Sequence, residues 1–322
     1  MTSRDRTVAI LGAAGRIGDA AARAFVEAGW RVRGIGRGGR QGQMAPGVEP
    51  VEADALDARA LTAACAGADV ILNALNPQYT EWREKVLPMA RNVAAAARKT
   101  GATHLLPGNV YNFGHAIGVD TGENAAEVPS TQKAQIRIEM ERLFRREAQD
   151  GGARTVVLRA GDFYGGVKPE SWLDTMILAR LQKNVFTWPG PDDLPHAFAY
   201  LPDLGRAFVA VAEKRHSLAP FERLHFSGHT LTGAEMHRLT EKAVGRPLKR
   251  GGVPWPLVRL LGLARPLYRE VAVMSYLWRT AHSLDGSKFA QLIGPLETTP
   301  PETALRRAIA DLDLDGDRRQ AA

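Results

Sequence analysis

Three glycines follow a short apolar run near the amino end of this 322-residue chain, at a spacing of three residues. The run is Thr7–Leu11, the glycines are Gly12, Gly15 and Gly18, and an alanine-rich stretch comes next. The run is typical of a strand buried on both faces, and the stretch over residues 19–28 predicts a helix with one apolar face. Because the first N–H groups of a helix lack partners within it, such a turn can bind a phosphate or pyrophosphate. An ordinary strand-to-helix turn would also explain the glycines.

The composition limits the classes of partner. Hydrophobic residues make up 45% of the chain and charged residues 24%, as in ordinary globular proteins. A single cysteine, Cys65, excludes a disulfide framework, and the polar residues 1–6 do not resemble a signal peptide, so we expect a cytoplasmic protein. No apolar stretch is long enough to span a bilayer, and we expect no membrane partner. The net charge of +7 favours an anionic ligand, but the arginines are dispersed, so nucleic acid is not expected.

The second predicted strand, residues 30–35, runs into a glycine-rich loop that contains arginines and no acid. In dinucleotide-binding folds an acid at this point binds the ribose 2′-OH of NAD, whereas an arginine accepts the 2′-phosphate of NADP. Arg37 and Arg40 lie in the loop, and Arg16 in the first turn could join them. We therefore expect NADP to be favoured, with NAD possible. The alternative is that these arginines only keep a loop solvated.

The glycine spacing and the continuing alternation of strands and helices resemble the atypical and extended short-chain dehydrogenases/reductases, the NAD(P)-dependent epimerase/dehydratase family. Such an alternation requires a parallel sheet with helices on both faces. The resemblance implies an α/β fold with a Rossmann-type doubly wound parallel sheet and a smaller, mostly helical C-terminal substrate lobe. The dinucleotide-binding domain would span residues 1–165, completed by about 197–228. The substrate lobe would comprise residues 166–196 and 229–322.

The resemblance also implies the cofactor contacts. Asp54, after the third strand, would bind the adenine amino group, although it could equally cap a turn. The end of the fourth strand would line the nicotinamide ribose. The full set of expected cofactor-binding residues is Gly12, Gly15, Arg16, Ile17, Gly18, Arg37, Arg40, Asp54, Asn73, Ala74 and Leu75.

The proton-transfer pair of the family, Tyr-x-x-x-Lys at the start of a helix, is incomplete. If Lys133 is the family's lysine, Pro129 takes the place of the tyrosine; aligning on Glu139 instead puts Thr131 and Gln135 at the two positions. The lysine normally lowers the phenol pKa so that tyrosine can act as a general acid or base, and a threonine hydroxyl cannot do this. We expect a helix from Pro129, with Lys133 either contacting the nicotinamide ribose or solvated.

Other polar residues follow the fifth and sixth predicted strands. Asn109 could donate a hydrogen bond to a substrate carbonyl, and Tyr111 and Tyr164 are candidates for a displaced acid, although each tyrosine could simply be packed. Asp162 is expected to pair with Arg159. The catalytic candidates are therefore Asn109, Tyr111, Lys133 and Tyr164.

We thus expect an NAD(P)-dependent oxidoreductase that acts on a carbonyl or secondary alcohol of a small-molecule substrate. The alternatives are a non-catalytic NAD(P)-binding sensor, suggested by the missing pair, and a sugar-nucleotide epimerase or dehydratase. No metal site is expected, because the spacing of His225, His229 and His237 does not match a ligand set.

The remaining sequence predicts helices in the substrate lobe. An amphipathic helix is expected over residues 171–183, and two apolar helices over 254–263 and 268–279. Aromatic residues of the last two could form lobe core, wall an apolar substrate pocket or make a homodimer contact. The residues in question are Trp255, Tyr268, Tyr276 and Trp278.

Overall fold

A computed structural model describes residues 6–316 of the chain. Its strands are β1 Thr7–Leu11, β2 Arg31–Gly36, β3 Val48–Glu52, β4 Val70–Asn73, β5 Thr103–Gly108, β6 Thr155–Arg159, β7 Asp162–Tyr164, β8 Val185–Trp188, β9 His196–Tyr200, β10 Phe221–His225, β11 His229–Leu231 and β12 Lys249–Gly252. Its helices are α1 Arg16–Glu27, α2 Ala58–Ala64, α3 Trp82–Thr100, α4 Gln132–Gln149, α5 Leu201–Lys214, α6 Gly233–Val244, α7 Trp255–Ala264, α8 Pro266–Val273, α9 Ser287–Ile293 and α10 Pro301–Asp311. Residues 1–5, on which the expected lack of a signal peptide rests, and the last six residues of the predicted lobe lie outside the described part.

A seven-stranded parallel sheet in the order β10-β6-β5-β4-β1-β2-β3 forms the centre of the fold. Strands β1, β4 and β6 are wholly buried because helices cover both faces, which is why they read as largely apolar runs. On one face α1 packs against α5, and on the other α3 packs against α2 and α4. The predicted doubly wound sheet is confirmed.

Two small sheets, β11-β9-β7 and β12-β8, lie beyond the central sheet. Together with the aromatic core around them, they form what we call the lobe. Tyr164, Trp188 and Trp278 are buried in this core, and Trp255 closes one side of it. Of the tail aromatics, Trp255 and Trp278 are therefore core residues, whereas Tyr268 stays partly exposed.

The predicted helix over residues 171–183 is wrong. The chain forms a π-helical turn at Leu173–Ile177 and a 3-10 turn at Leu181–Lys183, and then enters β8. The Asp174 carboxylate accepts hydrogen bonds from the backbone N–H groups of Glu170 and Ser171, at 2.6 and 2.7 Å, which tightens the first turn. Local side-chain bonds and the pairing of β8 with β12 outweigh the helical spacing of the apolar residues.

Two further helix boundaries differ from the prediction. The helix expected from Pro129 begins at Gln132, because the Thr131 side chain caps α4 by accepting from the Ala134 N–H at 3.1 Å. The helix expected over residues 268–279 is divided into α8 and a 3-10 segment, Met274–Arg279, which turns its aromatic side chains into the core.

Three buried histidines make the fold sensitive to acid. Burial lowers the pKa of His104 and His225 to about 3 and that of His282 to about 4. In the unfolded chain each imidazole titrates near pH 6.5, so between these values only the unfolded state takes up the protons.

We therefore expect the free energy of unfolding to fall as the pH drops from about 6.5 to 4, with each histidine adding about 1.4 kcal/mol per pH unit to the slope. Chemical denaturation over this range measures the slope. In His104→Asn, which keeps a group able to bind the Thr155 hydroxyl, the slope should decrease by about one histidine's share. An unchanged slope in this variant would contradict the assignment.

Candidate functional site

The glycine turn between β1 and α1 brings backbone segments into close contact. Gly12 has a φ of +76°, and a Cβ atom there would lie 2.9 Å from the carbonyl oxygen of Ala74, just after β4. A Cβ atom at Gly18 would lie 2.2 Å from the Gly12 carbonyl oxygen. Only glycine fits at either position, so α1 starts directly above the ends of β1 and β4.

The middle glycine has a different environment. A Cβ atom at Gly15 would meet one atom, the Gly12 carbonyl oxygen at 3.2 Å, and is otherwise unobstructed. Gly15 is the N-cap of α1 and provides no side-chain acceptor, so the first-turn N–H groups, including that of Ile17, are not capped. This open, positively polarised helix start fits the pyrophosphate of a dinucleotide.

Arg16 connects this turn to the lobe. Its guanidinium donates to the carbonyl oxygens of Phe163 at 2.9 Å and Glu170 at 3.1 Å. Lys168, between them in sequence, donates to the carbonyl oxygen of Gln43 at 2.6 Å. The segment after β7 thus lies against the glycine turn, and Arg16 holds it instead of joining Arg37 and Arg40 in the loop after β2.

The loop after β2 carries exposed cations. Within residues 6–316, neither Arg37 nor Arg40 has a hydrogen-bond or ion-pair partner for its side chain. Two carboxylates are close to the same loop: a Cβ atom at Gly38 would lie 2.5 Å from an oxygen of Glu52, and the charge of Arg37 contributes to lowering the pKa of Glu81. The two guanidinium groups are positioned to bind an anion, and the negative charge of Glu52 would weaken that binding.

The ends of β3 and β4 supply the other expected cofactor residues. Asp54 is exposed, and its side chain accepts from the Leu56 N–H at 2.9 Å, as in the turn-capping alternative. Asn73 is buried, and its side-chain oxygen accepts from the Leu75 N–H at 3.4 Å. The segment from Asn73 through Ala74 to Leu75 therefore lies beside the glycine turn, at the carboxyl edge of the sheet.

Two tyrosines face each other at this edge. The hydroxyl oxygens of Tyr79 and Tyr111 are 3.1 Å apart, and Lys133 Nζ lies 4.7 Å from the centroid of the Tyr79 ring. Asn109, after β5, accepts from the Tyr111 N–H at 3.1 Å and so fixes the start of that segment. The sequence analysis missed Tyr79, because it lies in a turn between β4 and α3 and belongs to no recognisable motif.

Lys133 is neither solvated nor free. It is 4% exposed and forms an ion pair with Glu270 of α8, which packs over the first turn of α4. The expectation of a solvated lysine is therefore wrong. Burial, with a contribution from Arg269, lowers the pKa of Lys133 to about 8.

Both tyrosines are protonated at neutral pH. Burial raises the pKa of Tyr79 and raises that of Tyr111 well above its usual value, and the carboxylate of Asp162 acts in the same direction. The guanidinium of Arg137, 4.9 Å from the Trp82 ring centroid, partly offsets these effects. Both phenols therefore carry their protons at neutral pH, and the raised pKa makes each a weaker acid than a free tyrosine.

The expected pair of Asp162 with Arg159 is wrong. Arg159 lies in the buried interior, where it forms two hydrogen bonds with the Glu141 carboxylate, at 2.8 and 3.0 Å. Asp162 instead accepts from His196 Nε2 at 2.8 Å, and the His196 ring stacks on Trp278 with centroids 4.1 Å apart. While it is held by His196, the Asp162 carboxylate also lies close enough to Tyr79 and Tyr111 to raise the pKa of both phenols.

Tyr164 lies outside this group. It is buried in the lobe core, and its hydroxyl is 2.7 Å from His229 Nδ1. A phenol held in this way packs the lobe, so the structure brings together Asn109, Tyr111 and Lys133 of the four catalytic candidates, and not Tyr164.

Four buried polar atoms near Asp162 or the tyrosine pair have no partner among residues 6–316. They are Arg16 Nε, Arg137 Nε, Tyr276 Oη and His282 Nε2. Asp162 influences the pKa of Tyr276 and His282, which places both near it. Buried polar atoms are nearly always paired in native proteins, so these four atoms are available to partners from a bound ligand.

Within the described part of the chain, no three His, Cys, Asp or Glu side chains are grouped so that they could hold a metal ion. Among the same residues, no helix combines the length and the apolar character needed to cross a membrane.

Comparison with known proteins agrees with this geometry. A sequence model of the NmrA-like family matches residues 4–275, whereas a search of curated proteins gives no match. The fold is similar to that of a nucleoside-diphosphate-sugar epimerase from Pseudomonas aeruginosa, at 21% identity and a TM-score of 0.73 over 98% of this chain and 99% of that one.

Two structures solved with bound ligands also have a fold similar to that of this chain. The Bordetella bronchiseptica enzyme WbmH in complex with NAD+ has 18% identity and a TM-score of 0.72 over 95% and 97% of the two chains. A UDP-glucose-4-epimerase from Stenotrophomonas maltophila with bound NAD and formylated UDP-arabinopyranose has 15% identity and a TM-score of 0.76 over 98% and 100%. At these identities the similarity establishes the fold alone.

The glycine turn gives a matched pair of variants. Gly18→Ala forces a Cβ against backbone, so we expect it to lower the free energy of unfolding by about 1–3 kcal/mol or more. In Gly15→Ala the methyl group meets only the Gly12 carbonyl oxygen, at 3.2 Å, so a backbone shift of a few tenths of an ångström admits it and stability should stay within about 1 kcal/mol of wild type. Its methyl group would nevertheless obstruct a pyrophosphate, and NADPH affinity measured by calorimetry should fall. Wild-type NADPH affinity in Gly15→Ala would show that the dinucleotide does not bind at this turn.

Proposed function

The chain belongs to the NmrA-like family, with the NAD(P)-binding Rossmann fold of short-chain dehydrogenases/reductases, and from this premise we propose that it is an NADPH-dependent reductase of a carbonyl compound. The observation that carries the proposal is the contact between the Tyr79 and Tyr111 hydroxyls at the carboxyl edge of the sheet, 3.1 Å apart. In open α/β sheets, ligands bind at this edge.

The residues that would hold the dinucleotide are those around the first turn and the strand ends. The N–H groups at the start of α1 would bind the pyrophosphate, and Arg37 and Arg40 the 2′-phosphate. Asn73, Ala74 and Leu75 would lie along the nicotinamide ribose. A bound reduced nicotinamide supplies the hydride for the carbonyl carbon.

The protein's own contribution is the proton. When the carbonyl carbon is reduced, its oxygen gains negative charge and needs a proton donor within hydrogen-bond reach. Tyr111 donates its hydroxyl proton to this oxygen, and Tyr79 donates in turn to Tyr111, so one proton passes along the pair. Tyr79, the more exposed of the two, regains its proton from solvent. The amide N–H groups of Asn109 orient the same substrate oxygen.

The charges near the pair favour reduction over oxidation. Alcohol oxidation or epimerisation requires a base at neutral pH, and a buried phenol with a raised pKa is protonated there. The ammonium of Lys133 lies over the face of the Tyr79 ring and is held by Glu270, which limits its effect on the Tyr111 hydroxyl. Proton donation to a developing alkoxide is the step this arrangement supports.

A second candidate function is a dinucleotide-binding sensor without catalysis. Its support is the ion pair between Lys133 and Glu270, which occupies the lysine, together with the absence of a tyrosine four residues before it, where Pro129 stands. Several structures of this fold are named as sugar-nucleotide epimerases. Epimerisation requires a base, and the tyrosine cluster of this chain provides none at neutral pH.

Removal of the Tyr111 or Tyr79 hydroxyl group tests the proposed reductase activity. With NADPH and a panel of aldehydes, ketones and enones, we expect Tyr111→Phe to lower kcat by about 100-fold or more while NADPH affinity is kept. Tyr79→Phe should lower kcat less, because Tyr111 keeps its own proton. Tyr200→Phe, which removes a buried hydroxyl from the lobe core, is the matched control and should keep wild-type kcat. Tight NADPH binding with no turnover of any compound would support the sensor instead.

Substitutions in and beside the loop after β2, which carries Arg37 and Arg40, test the cofactor preference. Arg37→Ala should weaken NADPH binding by about tenfold or more, the value of one charge-assisted hydrogen bond, and leave NADH binding unchanged. Glu52→Gln should strengthen NADPH binding, because it removes the opposing carboxylate. NADH binding as tightly as NADPH to the wild-type protein would contradict the preference.

A further inference from the structure

The helical hairpin formed by α7 and α8 has an unusually apolar outer surface. Of the eleven exposed large hydrophobic side chains within residues 6–316, six belong to this hairpin. They include Leu260 at 62%, Leu263 at 85% and Leu267 at 60% exposure. Exposed apolar side chains occur singly on most monomeric proteins, whereas a concentration of this kind marks an interaction surface.

The hairpin packs mainly on itself. In α7 only Trp255 and Gly262 are buried, and in α8 no residue is fully buried. Gly262 allows the close approach of the two helices, since a Cβ atom there would lie 3.0 Å from the backbone of Arg269. The outer leucines therefore have no partner from the rest of the described chain.

Both ends of the hairpin are fixed to the body of the protein. At one end Trp255 Nε1 donates to the carbonyl oxygen of Pro189 at 2.7 Å. At the other, Glu270 forms its ion pair with Lys133. The apolar surface is thus presented by a fixed element of the fold.

The charged side chains between the leucines are basic. Arg259, Arg265 and Arg269 are all exposed, and Glu270, the one acid of the two helices, is already paired with Lys133. Arg269 has only a distant contact with Glu270, at 4.0 Å. Leucines interspersed with arginines on a short helical element are typical of segments that lie in the plane of a lipid–water interface.

We propose that the α7–α8 hairpin docks on the surface of an anionic lipid bilayer. Its leucines would enter the boundary between headgroups and acyl chains, and its arginines would contact the anionic headgroups. A symmetric contact between two copies would instead bring the same arginines of both chains together, without anions to neutralise them. The sequence argued against a membrane partner only because no stretch can span a bilayer, and surface docking does not require one.

Vesicle binding tests the proposal and does not depend on the enzymatic activity. The full chain would be mixed with vesicles of phosphatidylcholine alone or of phosphatidylcholine with phosphatidylserine, and the bound fraction measured by co-sedimentation. We expect binding to the vesicles that contain phosphatidylserine, weakened by salt, and much weaker binding to phosphatidylcholine alone. Equal or undetectable binding to both would overturn the proposal.

Variants separate the two contributions. Leu260→Gln combined with Leu263→Gln should lower vesicle affinity at least tenfold, and Arg265→Gln should lower it about fivefold. Leu292→Gln, which changes an exposed leucine of α9, is the matched control and should bind as wild type. All substituted side chains are exposed, so the thermal midpoint should stay unchanged and confirm folding.

If the double leucine variant keeps wild-type vesicle affinity, the hairpin is not the docking element. A dimer in solution that this variant dissociates, without vesicle binding, would identify the surface as a contact between copies and refute lipid docking.

Discussion

The close contact between the start of α1 and the ends of β1 and β4 is the constraint on which the rest of the structure depends. Because neither Gly12 nor Gly18 has a side chain, the helix can begin directly above the carboxyl edge of the sheet. The uncapped N–H groups at that point face the same edge where β4, β5 and β6 end. Asn73, Asn109 and Asp162 arrive there for this reason alone, since parallel strands place all their carboxyl ends on one side.

A buried ion pair then determines how α4 lies against this edge. Arg159 and Glu141 are both almost fully buried and share two hydrogen bonds, and Asn112 donates to the same carboxylate at 3.0 Å. Removing one partner of such a pair leaves an uncompensated charge in the interior, at a cost of about 3–5 kcal/mol. The pair therefore restricts the position of α4 strongly, and with it the position of Lys133.

The parts of the fold that depend on local sequence could be predicted, and those that depend on distant partners could not. The β1–turn–α1 unit follows from apolar periodicity and glycine spacing, and the central sheet follows from the alternation of strands and helices. Periodicity also predicted a helix over residues 171–183, but the hydrogen bonds of Asp174 and the pairing of β8 with β12 override it. The partner of Asp162 could not be predicted, because His196 and Glu141 reach Asp162 and Arg159 through tertiary packing alone.

The tyrosine pair shows why a spacing motif is a limited guide to chemistry. A reaction at a carbonyl oxygen requires a hydroxyl within hydrogen-bond reach, and a Tyr-x-x-x-Lys helix is only one way to place it. Here Tyr79 and Tyr111 come from the turns that follow the neighbouring strands β4 and β5, and Lys133 contacts a ring face. An ammonium beside a hydroxyl would favour the phenolate, whereas one over a ring face, already neutralised by Glu270, does so much less. Under the proposed function, relocating the tyrosine thus keeps a protonated hydroxyl at the substrate oxygen and loses the ammonium that would favour the phenolate.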